Sequence, residues 1–371
     1  MNSKERLMAV LSGQLPDRVP ISTYELCGYN STSFENQEPS YRRLMDFIRR
    51  NTDALTMWNP PGTERQVKSA FDAPQDEECW DEGEYHVRRV ILHTPGRDLT
   101  KVFKYCDSIK TVWNVEHLCK DLADVDALMG LPYEPVTYSH GDYDRVVTEL
   151  DNHGIVMASL SDPVCTAMEI MEFGEATVWA LTEPEHFKET LNELQRRNMQ
   201  NLRNMLEVCP VDLYRICGPE YATPPYLAPK HFENYVYPYL CEMVELIHSY
   251  GKKVRIHSHG RIGRVLDMIL DTGTDALDPC EAPPDGDIEL AAVKKKAAGR
   301  AAVFGNLQLK LLENAKEAEV RQEVRRCMEA AKEGGGYVIM PTASPINIPL
   351  SPKTERNYFA FIEEALLWGG Y

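Results

Sequence analysis

The feature that most constrains the fold is an alternation of short apolar runs with longer amphipathic segments, which begins near residue 140. Six apolar runs are suited to buried strands: GIVMASL, VDLYRIC, KKVRIHS, TDALDPC, AAVFGN and GYVIMP. Between and after them, apolar residues recur with a helical period over 183–206, 230–250, 261–272, 287–298, 316–333 and 352–368. Strand–helix alternation at this spacing predicts parallel strands joined by right-handed crossovers.

The first half of the chain leaves room for two more such units, including a short helix over 3–12 and a strand over 18–23. The count favours an α/β fold of the (β/α)8 TIM-barrel type, with residues 1–371 as one domain. Two β-prone runs, HVRRVILH and DLTKVFKY, flank the turn sequence TPGR at 94–97. They predict an inserted β-hairpin at about 84–105, in the N-terminal third. Neither GxGxxG nor GxxxxGK[ST] occurs, which argues against dinucleotide and P-loop sites.

The charge balance excludes some classes of partner. The chain carries 57 acidic and 40 basic residues, a formal net charge of −17, so nucleic acid and acidic membrane surfaces are not expected partners. No apolar run approaches the roughly 18 residues of a membrane span, and MNSKERLMAVLSG lacks the apolar core of a signal peptide. The ten cysteines form no CxxC pair, which is typical of reduced thiols. We therefore expect a cytoplasmic protein.

Candidate catalytic groups lie where predicted strands end, because barrel enzymes place their chemistry there. The sequence HSHG at 257–260 ends one strand, and strand alternation directs His257 and His259 to the same side. With Glu281, which follows the next strand, these imidazoles predict a zinc site, and Glu220 is a possible fourth ligand. The alternatives stay open: two hydrogen-bonded core histidines, a solvated Glu281, and a Glu220 that only caps a turn.

Substrate contacts are predicted from the same reasoning. Aromatic residues near strand ends can wall an apolar pocket, and polar residues there can orient a ligand, although ordinary core packing is the alternative for each aromatic. The candidates are Tyr24, Trp58, Asp162, Tyr221 and Asn306.

The opening KERLMAVLSGQLPDRVPI resembles the start of the uroporphyrinogen decarboxylase superfamily. The resemblance continues through GPEYATPP, VRIHSHGRIGRVLDMILDTGTDALDP and FGN, and it implies a (β/α)8 barrel. True decarboxylases of that family hold the porphyrin carboxylates with an Arg-rich segment near the N-terminus. Here the corresponding residues are TYELCG at 23–28, with no arginine, so porphyrinogen decarboxylation is disfavoured.

The chain is also similar to corrinoid-linked methyltransferases of that superfamily, and more remotely to cobalamin-independent methionine synthase. The resemblance implies a zinc motif in which His257 keeps the first place, His259 stands where cysteine is expected, and Glu281, 24 residues after His257, keeps the carboxylate place. Thr342 and Ser344 stand near the position of the later cysteine. A site without thiolates suits a Lewis acid or a protonated side chain that stabilises a departing oxygen.

The resemblance thus implies a methyltransferase that demethylates a small O-methyl compound, with an aryl methyl ether as the expected substrate. The methyl group would pass to the cobalt(I) of a corrinoid on a separate carrier protein, since no corrinoid-binding DxHxxG occurs here. His257, Glu281 and Glu220 are the catalytic candidates. Three alternatives remain: a thiol-directed methylcobamide methyltransferase, a decarboxylase, and a non-catalytic corrinoid-binding partner. The methyl donor, metal occupancy, oligomeric state and carrier-docking face stay open.

Overall fold

The structure is a computed structural model that describes residues 1–62 and 75–371. The strands of these residues are β1 (Ala54–Met57), β2 (Gln75–Glu82), β3 (Tyr85–Thr94), β4 (Arg97–Cys106), β5 (Ile109–Glu116), β6 (Gly154–Ser161), β7 (Leu213–Cys217), β8 (Lys253–Ser258), β9 (Ala276–Pro279), β10 (Ala302–Phe304) and β11 (Tyr337–Val338). They form two sheets, a parallel seven-stranded sheet in the order β1-β6-β7-β8-β9-β10-β11 and an antiparallel four-stranded sheet β2-β3-β4-β5.

Helices connect and cover the parallel strands. They are α1 (Ser3–Leu11), α2 (Phe34–Gln37), α3 (Arg42–Asn51), α4 (Leu122–Met129), α5 (Tyr143–Leu150), α6 (Pro163–Glu169), α7 (Phe173–Thr182), α8 (Pro184–Val208), α9 (Pro229–Tyr235), α10 (Tyr237–Ser249), α11 (Leu266–Asp271), α12 (Leu290–Ala297), α13 (Leu309–Asn314), α14 (Glu317–Ala331) and α15 (Pro352–Trp368). Among the helices of the described ranges, none is both long and apolar enough to cross a membrane.

The α/β class with a parallel sheet is confirmed, and most predicted helices lie where the periodicity puts them. Two local predictions were wrong. The segment 230–250 is two helices rather than one kinked helix, because Pro238 lies in the first turn of α10, where its missing N–H costs nothing. The segment 18–23 makes isolated bridges instead of a strand: Ile21 pairs with Ile339 in parallel, and Arg18 pairs with Gly370 in antiparallel.

Residues 20–22 nevertheless form hydrogen bonds with both edges of the parallel sheet. On one side, the N–H of Ser22 donates to the carbonyl of Ile339 at 3.0 Å. On the other side, the N–H of Asp53, one residue before β1, donates to the carbonyl of Ile21 at 2.7 Å. Residues 20–22 therefore lie between the last and the first strand of the sheet.

The interior of the curved sheet is apolar at its amino end. Strand residues of one face, including Leu55, Met157, Leu213 and Phe304, pack in a single buried cluster with Leu7 of α1. Helix α1 thus closes this end, and its own start is secured by a capping box of Asn2 and Glu5. The opposite faces of the strands pack against the surrounding helices in the larger core. The buried charges at this end include the ion pair of Arg6 with Asp53, at 2.6 Å, and catalytic side chains are expected at the carboxyl end of the sheet.

Candidate functional site

Strand register sets the order of the polar side chains inside the sheet. Leu213 belongs to the interior cluster, so alternation directs Arg215 and Cys217 of β7 to the same interior side. In the pairing of β7 with β8, Arg215 lies beside Arg255 and Cys217 lies beside His257. The interior therefore changes along its length from apolar residues, through two arginines, to a histidine near the strand ends.

Asp278 joins two of these groups. Its Oδ2 lies 2.8 Å from Nδ1 of His257, which is its register partner on the neighbouring strand, and its Oδ1 lies 3.0 Å from Nε of Arg255. The second contact is an ion pair without hydrogen-bond alignment, since both atoms lack a hydrogen-bond partner. Burial raises the pKa of Asp278, but the charges of Arg255 and His257 together lower it to about 2. An ionised Asp278 holds the proton of His257 on Nδ1 and directs Nε2 away from itself.

A second imidazole–carboxylate pair lies next to the first. Nδ1 of His259 is 3.4 Å from Oε2 of Glu281, which also accepts the N–H of Gly260 at 2.7 Å. The rings of His257 and His259 are nearly perpendicular, with centroids 4.7 Å apart. Burial lowers the pKa of His259, but the hydrogen bond and charge of Glu281, helped by Glu220, raise it above its ordinary 6.5. With a side chain 39% exposed, His259 is the member of the group that meets solvent.

The three predicted metal ligands therefore lie together, but each imidazole faces a carboxylate of its own. Nδ1 of His257 is taken by Asp278, and Nδ1 of His259 is directed to Glu281. Within the described part of the chain, no group of three or more His, Cys, Asp or Glu side chains is placed to hold a metal ion. As they stand, these residues form two imidazole–carboxylate pairs and do not fit a zinc site.

Glu220 lies in a 3-10 turn, Pro219–Ala222, that directly follows β7. Its Oε2 accepts the N–H of Gly218 at 3.1 Å, so the carboxylate stabilises its own loop. Its charge also acts on His259, whose pKa it helps to raise. Glu220 is thus a neighbour of the paired histidines, and its negative charge favours the protonated form of His259.

Asp162 is fully buried at the end of β6. Its Oδ1 accepts the N–H of Cys165 at 2.8 Å and so caps α6, while Oδ2 has no hydrogen-bond partner. Burial, together with the charges of Glu220 and Glu169, raises the pKa of this carboxyl well above its ordinary value. Gly218 permits the approach, because a Cβ at its backbone position, where φ is 124°, would lie 2.2 Å from Oδ1. The structure thus gives Asp162 a capping role.

Of the other predicted substrate contacts, Tyr24 lies beside the histidines. Its ring centroid is 6.1 Å from that of His257, and its hydroxyl accepts from Nη1 of Arg215 at 3.4 Å. Its backbone has a φ of 60°, a conformation that non-glycine residues rarely adopt. Backbone strain of this kind is found often at active sites and ligand-binding positions.

Trp58, Tyr221 and Asn306 instead have structural partners. The indole of Trp58 donates to Asp142 at 2.9 Å, and the hydroxyl of Tyr221 donates to Glu169 at 3.0 Å. The amide of Asn306 donates to the carbonyl of Cys280 at 2.7 Å, and the residue is buried. These contacts tie loops to neighbouring elements, and contact of the three side chains with substrate stays a prediction from the sequence.

Sequence reasoning missed Arg215 and Arg255. Both are buried, with 8% and 1% of their surface exposed. Nη1 of Arg215 donates to Glu25 at 3.0 Å, and the guanidinium of Arg255 lies 5.4 Å from the ring centroid of Phe304. A pattern in the sequence could have identified them. In the strands VDLYRIC and KKVRIHS, each arginine stands two residues before the side chain that reaches the strand end. An arginine within an apolar run and in phase with His257 points into the site.

Comparison with known proteins supports the fold. Residues 110–355, about two thirds of the chain, match the family described as uroporphyrinogen decarboxylase (URO-D). A methyltransferase from Methanosarcina mazei has a similar structure, with a TM-score of 0.62, 14% identity, and 99% of each chain covered. A putative vitamin-B12-independent methionine synthase from Listeria monocytogenes matches at a TM-score of 0.41, with 12% identity over 64% of this chain and 72% of the other. No curated protein matches the chain in sequence.

Proposed function

Because the chain belongs to the uroporphyrinogen decarboxylase family, we propose that it is a methyltransferase acting on a small O-methyl compound, an aryl methyl ether. The methyl group would pass to the cobalt(I) of a corrinoid carried by a separate protein. The observation that carries the proposal is the pair of imidazole–carboxylate contacts at the carboxyl end of the sheet. The likeness of the whole fold to a methyltransferase from Methanosarcina mazei supports it.

The chemistry assigned to this chain is protonation of the departing oxygen. The corrinoid supplies the nucleophile that accepts the methyl carbon. When the carbon–oxygen bond breaks, the oxygen keeps the electron pair, and an aryl or alkyl oxyanion leaves poorly without help. His259, kept protonated by Glu281, donates its proton to that oxygen as a general acid. His257, whose Nδ1 lies 2.8 Å from Asp278, packs against the ring of His259.

Zinc stays a prediction from the sequence. That prediction names His257, His259 and Glu281 as ligands, whereas the described side chains form two separate imidazole–carboxylate pairs. Within the described residues, protonated His259 is the group that can stabilise the leaving oxygen without a metal.

We also propose that the fold is a complete (β/α)8 barrel. The seven-stranded sheet and residues 20–22, which hydrogen bond to both of its edges, supply eight segments around one interior. The antiparallel strands β3 and β4 would then be the insertion predicted at 84–105. In a barrel, the open end above His259 is the side from which a carrier protein brings the corrinoid.

A second candidate function is favoured by Arg215 and Arg255. A decarboxylase of a small carboxylic acid needs arginines in its pocket, and the structure places these two inside the sheet. The arginine-free segment 23–28 disfavours only the porphyrinogen substrates. Release of carbon dioxide from a substrate acid distinguishes this reaction from methyl transfer.

The proposal is tested by incubating the protein with cob(I)alamin and methoxyarenes or methylamines as methyl donors, and with methylcobalamin and thiols as acceptors, while the corrinoid spectrum is followed. We expect methylation of the corrinoid with methoxyarenes, and a loss of roughly 100-fold or more in kcat for His259→Gln, as for removal of a general acid. His248→Gln is the matched control, because His248 forms a similar pair with Asp275 at 2.8 Å outside the site. Methylation only of thiols as acceptors, or no methylation of the corrinoid by any of the ethers, would overturn the proposal.

A further inference from the structure

The two interior arginines form an unusual pair. Arg215 and Arg255 are register partners on adjacent parallel strands, so their side chains leave the sheet side by side. Like charges placed directly across from each other are destabilising, and buried charges require counter-charges. Both residues are buried, so solvent screens them little. Two adjacent buried arginines therefore require negatively charged groups next to them.

The carboxylates that serve the two arginines differ in how deeply they are buried. Asp278 is buried and serves both Arg255 and His257. Arg215 has Glu25, whose carboxylate lies 3.0 Å from Nη1 but whose side chain is 49% exposed. Nε of Arg215 is buried and has no hydrogen-bond partner. Arg215 therefore has an unused buried donor, and its counter-charge comes from a loop that can release it to water.

We propose that the ligand of this site carries a carboxylate, which binds Arg215 and takes the place of the Glu25 side chain. The planar guanidinium presents two N–H groups that match a carboxylate in a bidentate contact. The ring of Tyr24, 5.9 Å from the Arg215 guanidinium carbon, supplies an aromatic surface beside it. The methoxyaryl part of this ligand comes from the proposed function, on which the inference rests. The added carboxylate narrows the substrate class from aryl methyl ethers to methoxylated aromatic acids.

Position along the strands orients such a ligand. Arg215 pairs with Arg255, which lies two residues deeper in the sheet than His257 and four residues deeper than His259. The carboxylate end would therefore point inward, and the methyl ether would point to His259 at the open end. This is the orientation in which the methyl carbon faces an arriving carrier protein.

The test is a calorimetric titration with 4-methoxybenzoate, benzoate and the neutral isostere 4-methoxybenzamide. We expect the acids to bind roughly tenfold or more tightly than the amide, and Arg215→Gln to remove that preference. Arg215→Lys, which keeps the charge without the bidentate geometry, should retain part of it. Arg145→Gln, which breaks a surface pair with Glu149 at 2.9 Å, is the matched control and should leave binding unchanged.

Glu25→Gln is the decisive variant. If Glu25 occupies the carboxylate position, removing its charge should tighten binding of the acids severalfold without affecting the amide. Weaker or unchanged binding of the acids by Glu25→Gln, or equal binding of acid and amide by the unaltered protein, would overturn the inference. Arg215-dependent binding of 4-methoxybenzoate, with no methyl transfer from any methoxyarene to cob(I)alamin, would leave the anion site standing and refute the proposed function. Methyl transfer from neutral ethers but not from methoxylated acids would support the proposed function and refute the carboxylate-binding site.

Discussion

Replacing Asp278 by asparagine tests the buried charge group most directly. The substitution keeps the size of the side chain but removes the negative charge 3.0 Å from Nε of Arg255. Arg255 is 1% exposed and cannot turn to water for compensation. The same change deprives Nδ1 of His257 of a charged acceptor at 2.8 Å.

The loss in the free energy of unfolding caused by Asp278→Asn can be estimated in two ways. The pKa of Asp278 is about 2 against an ordinary 3.8, which corresponds to about 2 kcal/mol in favour of the charged form. That figure omits the burial of Arg255 without a partner, and breaking a buried ion pair by removing one member costs about 3–5 kcal/mol. The second figure describes the substitution itself, so we expect a loss of about 3–5 kcal/mol in the free energy of unfolding at pH 7.

The assay is urea unfolding followed by circular dichroism at pH 7, for Asp278→Asn, Arg255→Met and the double variant. The double variant should be more stable than the sum of the single losses predicts, because it leaves no unpaired charge. Asp107→Asn, at a side chain 90% exposed, controls for the loss of one negative charge. A loss below about 1 kcal/mol, or strictly additive single losses, would refute the reasoning.

The contribution of Asp278 also has a defined pH dependence. Its pKa is lower in the folded protein than in the unfolded chain, so its stabilising effect is complete above about pH 4. The effect is lost as the pH falls from there to about 2, where the folded carboxylate takes up its proton. The difference in stability between the unaltered protein and Asp278→Asn should therefore narrow over this range.

Three further predictions follow from the site and its loops. Activity that needs protonated His259 should fall as the pH rises through its raised pKa, and Glu281→Gln should move that fall to lower pH in a profile of kcat/KM; an unmoved profile would exclude the pair as the acid. Gly305→Ala should lower the free energy of unfolding by at least about 2 kcal/mol in urea, because its Cβ would lie 2.2 Å from the carbonyl oxygen of Pro279. Gly299→Ala is the control, and it should cost about 1 kcal/mol because the space around Gly299 is open. If zinc binds, metal analysis should find it in the unaltered protein and not in His257→Ala, and equal metal contents would remove His257 as a ligand.

Local patterns in the sequence were sufficient for most helices. The apolar periodicity of α8, α14 and α15 depends only on residues of the same helix, and the ends of these helices are marked by glycines or prolines nearby. Pro238 shows the limit of such reasoning, since the same residue can interrupt a helix or begin one. Which of the two occurs depends on how the preceding segment packs.

The candidate site was only partly predictable. That His257 and His259 share one side of a strand follows from alternation alone, and the structure brings Glu281 to them. That Asp278 rather than Glu281 meets His257 depends on the register of β9 against β8. The partners of Trp58 and Asn306 come from loops distant in the chain, which no spacing reveals.

The sequence by itself determined an acidic α/β chain with a parallel sheet, and it placed two histidines and an acid at strand ends, because charge, periodicity and alternation are local properties. Only the tertiary structure decided that each imidazole has its own carboxylate and that two arginines stand side by side beneath them. These contacts join neighbouring strands far apart in the chain, and a shift of one residue in register would turn every one of those side chains to the other face of the sheet.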